Sequence, residues 1–249
     1  MLKRDRRVID DAFVAELAAH LRRWGDASKR VIVGIAGIPG SGKSTLGRLL
    51  LKAINRDSSG IAVLVPMDGF HLTTQRLEEL GLRDHKGAPA TFDAEGYCRL
   101  LEQARDPTGT VRFPIYDRQV HERVFDDRDD HAISSAVRVI ITEGNYLLLD
   151  FEPWSALARV LDECWLLDTP IEQARHWTIR RHIRGGRSRD DAETHYERSD
   201  ALNAKLVRRQ MREPDLTLCW PDAGQGDSVS QSKIPSKLQS RNHIPSVWI

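Results

Sequence analysis

The chain has 249 residues, room for one large domain or two small ones. Its 37 Lys and Arg against 36 Asp and Glu leave a net charge of +1, which excludes a general electrostatic pull toward nucleic acid or an anionic membrane. Hydrophobic residues at 40% supply a core and exclude global disorder, and three separated cysteines without a CxxC offer neither a zinc nor a disulfide pattern.

Val8, Ile9, Phe13, Leu17 and Leu21 recur at helical spacing, so a helix is expected from Val8 to Trp24, stopping at Gly25. This start lacks the apolar stretch of a signal peptide, and no run approaches the roughly 20 apolar residues that span a bilayer. The expected location is the cytoplasm, with no membrane partner. Val31–Ala36 reads as a buried strand and Ser44–Ile54 as a helix. Ile61–Val65, Val137–Thr142, Cys164–Leu167 and Leu216–Trp220 read as further buried strands. Helices are expected at Ala94–Arg105, Ile171–Arg184 and Asp190–Arg212. Continuous apolar strands alternating with helices imply an α/β fold with a mostly parallel sheet covered on both faces. From Ala223 onward Ser, Gln, Lys and Pro dominate, so residues 223–249 are expected to be a disordered tail behind one domain of residues 1–222.

Between the first strand and the next helix lies Gly37-Ile38-Pro39-Gly40-Ser41-Gly42-Lys43-Ser44, which fits G-x-x-x-x-G-K-[ST] at every fixed position. Glycines let backbone N–H groups curl around phosphate oxygens, and the following helix aims its positive dipole end at the same anion. Lys43 is expected to bridge the β- and γ-phosphates of ATP, Ser44 to ligate Mg²⁺, and Thr45 to add a hydroxyl near the α-phosphate. A chain this long matches the pattern by accident at about the 1% level, and here the strand and helix it requires are both present. No N-K-x-D and no L-S-G-G-Q occurs, which argues against a GTPase and a transporter ATPase.

Two acids follow strands. Asp68 lies just beyond Ile61–Val65 and Glu143 just beyond Val137–Thr142. Both therefore belong to the carboxyl edge of the sheet, where open α/β folds bind ligands. A carboxylate there can accept the proton of an attacking hydroxyl or hold Mg²⁺.

Gly37–Thr45, Met67-Asp-Gly-Phe70, Pro114-Ile-Tyr-Asp117 with His121 and Arg123, and Thr142-Glu-Gly144 together resemble the uridine kinase / phosphoribulokinase / pantothenate kinase superfamily of P-loop kinases. The similarity runs from about Arg30 to Leu218 and is nearest the bacterial nucleoside/nucleotide-kinase-like branch, some of whose members carry a fructose-transport-kinase name. The resemblance implies a P-loop three-layer sandwich with an arginine-rich lid and ATP-dependent phosphorylation of a small-molecule hydroxyl. It implies Asp68 as base and Glu143 as a Mg²⁺ holder. Asp93, in Phe92-Asp93, matches a sugar-contacting pair, and Tyr116 and His121 match nucleoside-recognition positions. Arg118 stands where uridine kinases have an aromatic, and Lys86-Gly-Ala-Pro89 resembles pantothenate kinases instead. A nucleoside, a pantothenate-like alcohol or a sugar all remain as acceptors, with His71 also placed to face it. Such kinases often self-associate, so a homo-oligomer is possible.

Arg175, Arg180, Arg181, Arg184, Arg187 and Arg189 crowd around Gly185-Gly186. Guanidinium groups on a segment hinged at paired glycines can close over ATP, so a lid is expected at about 180–192, with Arg184 and Arg187 as its catalytic arginines. The rival readings are a regulatory or assembly ATPase without a small-molecule acceptor, and a nucleic-acid module using the arginines. The balanced charge and the lack of an interleaved aromatic–basic motif count against the latter.

Overall fold

A computed structural model describes residues 6–221 apart from 26–28, 59, 127, 129 and 130. The expected tail lies outside the described residues. At the centre is a six-stranded sheet in the order β1 (Arg6–Val8), β10 (Leu216–Cys219), β9 (Glu163–Leu167), β2 (Val31–Ala36), β8 (Val139–Gly144), β3 (Ala62–Pro66), every pairing parallel. Strand alternation divides the apolar side chains between two cores. On one face Val31, Val33 and Ile35 meet Leu17 and Leu21 of α1 (Asp11–Trp24) and Leu46 and Leu50 of α2 (Lys43–Ile54). On the other face Ile32, Ile140 and Leu166 meet Tyr97 and Leu101 of α4 (Ala94–Gln103), Trp154, and Val207 of α8 (Ala201–Arg209). The result is the three-layer α/β sandwich expected of the sequence. Among the described residues no helix is long and apolar enough to cross a membrane.

The first helix begins later than its periodicity suggests. Asp10 accepts from Phe13 N at 2.7 Å as an N-cap, and the three residues Arg6–Val8 instead form the parallel edge strand beside β10. The helix expected over Asp190–Arg212 is α7 (Arg189–His195), one π turn over Tyr196–Asp200, and α8, which ends at Arg209. Two small hairpins were not foreseen: β4 (Val111–Arg112) with β7 (Ala132–Ile133), and β5 (Ile115–Asp117) with β6 (Glu122–Val124). Strands of two or three half-polar residues carry no period to read.

Arg30 is 1% exposed and spends its guanidinium on four carbonyls: Val137 (3.1 Å), Ala104 (2.7 Å), Asp106 (2.8 Å) and Ser134 (2.6 Å). Deleting it strands those acceptors in a dry interior. Arg30→Ala is expected to destabilise the fold by about 3–5 kcal/mol, read as a fall in the urea midpoint; an unchanged midpoint would show that water replaces the guanidinium without cost.

Candidate active site

The phosphate-binding loop connects the end of β2 to the start of α2. Gly40 and Gly42 have φ of +74° and +94°, in the left-handed region. A Cβ on Gly40 would overlap Thr178 Oγ1 and Ala174 O of α6 (Ile171–Arg184), so the loop lies directly on that helix. Its backbone is pinned from behind, because Ser41 O accepts from Thr169 Oγ1 and Trp220 Nε1, both at 2.9 Å. Gly40→Ala is expected to lower the affinity for ATP about 10-fold or more, since it combines steric overlap with a forbidden backbone conformation. Equilibrium binding of a fluorescent ATP analogue checks this, and wild-type affinity would sink it.

Lys43 is 7% exposed. Its Nζ donates to Ile38 O and Asn145 Oδ1, both at 2.9 Å, and reaches Ser41 Oγ at 3.4 Å. Burial pushes its pKa down to about 8, against the pull of Glu143 and Asp68. Ser44 Oγ donates to Glu143 Oε1 at 2.8 Å. Glu143 is itself buried, and burial together with the nearby Asp68 carboxylate raises its pKa. This hydroxyl–carboxylate pair beside a phosphate loop is an all-oxygen donor set suited to Mg²⁺.

Asp68 enters because β3 and β8 are in register, Pro66 opposite Glu143, and a 3-10 turn over Met67–Phe70 follows β3 at once. Its side chain stays 42% exposed, with Arg118 Nη2 at 3.8 Å from Oδ2. Gly69 permits the turn to abut β5, since a Cβ there would overlap Pro114 O. The β5–β6 hairpin thereby stands beside Asp68.

These groups open into one cleft of about 580 Å³. Of the expected residues, Pro39, Gly40, Lys43, Ser44, Asp68, His71, Tyr116, His121, Glu143 and Arg187 line it. His71 is held between Phe92 (ring centroids 4.0 Å) and Tyr116 (4.6 Å), and its Nδ1 hydrogen-bonds Asp68 O at 2.8 Å. Burial lowers its pKa, which favours the neutral ring. Two expected residues stand elsewhere. Asp93 is the N-cap of α4, accepting from Gly96 N at 2.8 Å with Arg123 at 3.7 Å, and Phe92 lines the cleft in its place. Arg184 is exposed and lies against Arg180 O at 3.4 Å, whereas Arg181 lines the cleft. Helical geometry explains this: three residues on from Arg181 is not the same direction, and only one arginine of α6 points inward.

Four cleft residues had not been assigned to the site. Asn145 follows Glu143-Gly144 and bonds Lys43. Lys86 and Arg118 sit on loops brought in by the fold. Asp200 is turned inward at the end of the π turn, accepting from His182 Nε2 at 2.9 Å. With His195 these two place ligand atoms within 4.8 Å of one another, but Arg181 and Arg187 line the same end of the cleft, where they oppose a dication. Five Lys and Arg line the cleft against three carboxylates, so it favours an anion such as a nucleoside triphosphate.

The family model described as phosphoribulokinase / uridine kinase matches residues 32–220. The chain belongs to this family. It is a P-loop kinase of the nucleotide-binding class, and the match begins in β2 and closes at Trp220, which backs the phosphate loop. The chain is 35% identical over 198 residues to a Schizosaccharomyces pombe protein named "Putative uridine kinase", covering 76% of this chain and 83% of that one. It is 36% identical over 197 residues to YggC of Escherichia coli strain K12, covering 79% and 80%. Among solved structures, a Silicibacter sp. TM1040 protein described as a "putative fructose transport system kinase" superposes with TM-score 0.74 at 34% identity, over 84% of this chain and 98% of that one.

Proposed function

We propose that this kinase transfers the γ-phosphoryl group of ATP to a hydroxyl of a small-molecule acceptor. The observation that carries the reading is the meeting of a phosphate loop and a free carboxylate in one cleft. Lys43 and the Ser44–Glu143 pair stand on one side and Asp68, unencumbered by any close hydrogen bond among the described contacts, on the other.

Residues of the loop from Gly37 to Thr45 cradle the phosphates, and the Lys43 ammonium bridges the β- and γ-groups. Ser44 and Glu143 hold Mg²⁺, which supplies charge neutralisation on those phosphates when bound. Asp68 orients the acceptor hydroxyl and takes its proton as the acceptor oxygen bonds to the γ-phosphorus and the bond to the β-phosphate oxygen breaks. Arg181 and Arg187 reach the transferring group from the lid, whose two arms meet at Gly185-Gly186. Catalysis of this kind is positioning and charge stabilisation, with no covalent enzyme intermediate. The described residues serve as one kinase domain.

The test is a coupled assay of ADP release with Mg·ATP and a panel of hydroxyl acceptors. Acceptor-dependent release supports the reading. Release that no acceptor stimulates would move it to a switch ATPase.

The depressed pKa of Lys43 adds a pH prediction. Below about 8 the ammonium is present in the unliganded chain, and above it the neutral amine grows. Binding ATP must then restore a proton, so Kd for ATP rises with pH beyond about 8, by at most tenfold per unit. Over the same interval the unliganded fold gains stability, because the unfolded chain keeps a proton that folded Lys43 has shed. Calorimetric titration from pH 7 to 9.5 measures the first effect, and Lys43→Met should flatten it; a flat wild-type curve would refute the assignment.

A further inference from the structure

Resting on the reading of the chain as a hydroxyl kinase, we propose that its acceptor carries an anionic oxygen group, a carboxylate or a phosphate monoester, held between Lys86 and Arg118. Around Asp68 the cleft wall presents these two cations against one carboxylate, and that carboxylate is needed for the hydroxyl proton.

Lys86 is built in place. Its Nζ donates to His121 O at 2.6 Å and lies 5.5 Å from the centre of the Tyr116 ring. The next residue fixes its backbone: Gly87 has φ +102°, its N–H donates to Thr91 Oγ1 at 2.9 Å, and its carbonyl accepts from Tyr146 Oη and, at 3.2 Å, from Asn203 Nδ2. One ammonium donor is engaged by His121 O, and no carboxylate is paired with Lys86 within 4.0 Å among the described ion pairs. His121 itself has φ +56°, a conformation costly for a residue with a Cβ, in the turn that carries its ring to the cleft.

Arg118 is the second arm. At 3.8 Å from Asp68 it makes no hydrogen bond there, and its side chain is 60% exposed. An arginine kept on Asp68 would weaken it as a base. An acceptor anion gives the guanidinium a better, two-pronged partner and releases Asp68 toward the hydroxyl. The anion thus serves recognition and the state of the base together. The aromatic wall of His71, Phe92 and Tyr116 receives the carbon skeleton between anion and hydroxyl.

Matched acceptor pairs test this in the coupled ADP assay with the full chain: glycerate and glycerol, gluconate and glucose, pantothenate and pantothenyl alcohol, ribose 5-phosphate and ribose, uridine monophosphate and uridine. Lys43→Ala is the blank. Stimulation is expected only from anionic members, and the acid and phosphate arms identify which group is read. Arg118→Ala and Lys86→Ala should each raise KM for that acceptor about tenfold or more, with KM for ATP within about twofold. Neutral members used as well as their anionic partners would overturn the inference and leave the kinase reading standing. Variants that raise KM for ATP instead would assign the cations to the nucleotide and also overturn it. Lys43-dependent ADP release that no pair stimulates would overturn the kinase reading and the inference with it.

Discussion

Lys43→Ala is expected to lower the rate of ADP release about 10³-fold or more. The ammonium is the one cation of the site that is buried, at 7% exposure, and it points along the loop at Ile38 O, Ser41 Oγ and Asn145 Oδ1. Those three acceptors fix its position before any nucleotide arrives. Charge developing on a transferring phosphoryl group therefore meets a positive group that needs no reorganisation. The methyl of alanine supplies neither charge nor donor. Folding should survive, because the substitution also removes the desolvation cost that depresses the pKa of Lys43. Steady-state rates with the thermal midpoint measured alongside make the check. A variant that keeps a tenth of the wild-type rate would remove Lys43 from the chemistry.

Asp68→Asn is expected to cut kcat by about 10²- to 10⁴-fold while Kd for ATP moves less than about twofold. Asparagine keeps the shape and the place after β3 but cannot take a proton. Phosphate binding is organised by a different segment, from Gly37 to Thr45, so the two measurements separate. Asp68 needs no rescue from a dry interior, being 42% exposed, and the loss is not expected to carry a stability cost. Single-turnover transfer and nucleotide binding, measured on the same preparation, decide it; near-normal transfer would remove the base assignment.

Much of this was legible in the residues, for reasons that differ from element to element. Val31–Ala36 and Val139–Ile141 are apolar on both faces because helices cover both faces, so their burial shows as an unbroken run. The phosphate loop is local, and eight consecutive residues state it. Asp68 and Glu143 could be placed because a residue after a parallel strand must fall at the carboxyl edge. Lys86 and Arg118 could not be placed the same way. They come from loops between a 3-10 turn and a hairpin, and only the close approach at Gly69 brings the hairpin to Asp68. Asp93 misled because a helix cap and a ligand contact both favour an aspartate before a helix. The lid arginines share one composition, and only the facing of α6 separates Arg181 from Arg184.

The Arg30 guanidinium has a consequence for how such an enzyme can change. Its partners Ala104 and Asp106 precede the hairpin segment that bears Tyr116, Arg118 and His121, and its partners Ser134 and Val137 follow it. One side chain rooted beside β2 thus ties off both ends of an excursion of the chain. With the ends tied, doubling the length of the excursion costs only about 0.6 kcal/mol of closure entropy. Insertions, deletions and substitutions there alter which molecule is admitted while the phosphate loop, rooted on the other end of the same strand, is left undisturbed. Grafting the corresponding stretch of a relative between Asp106 and Ser134 is the natural route to exchanging selectivity within this scaffold.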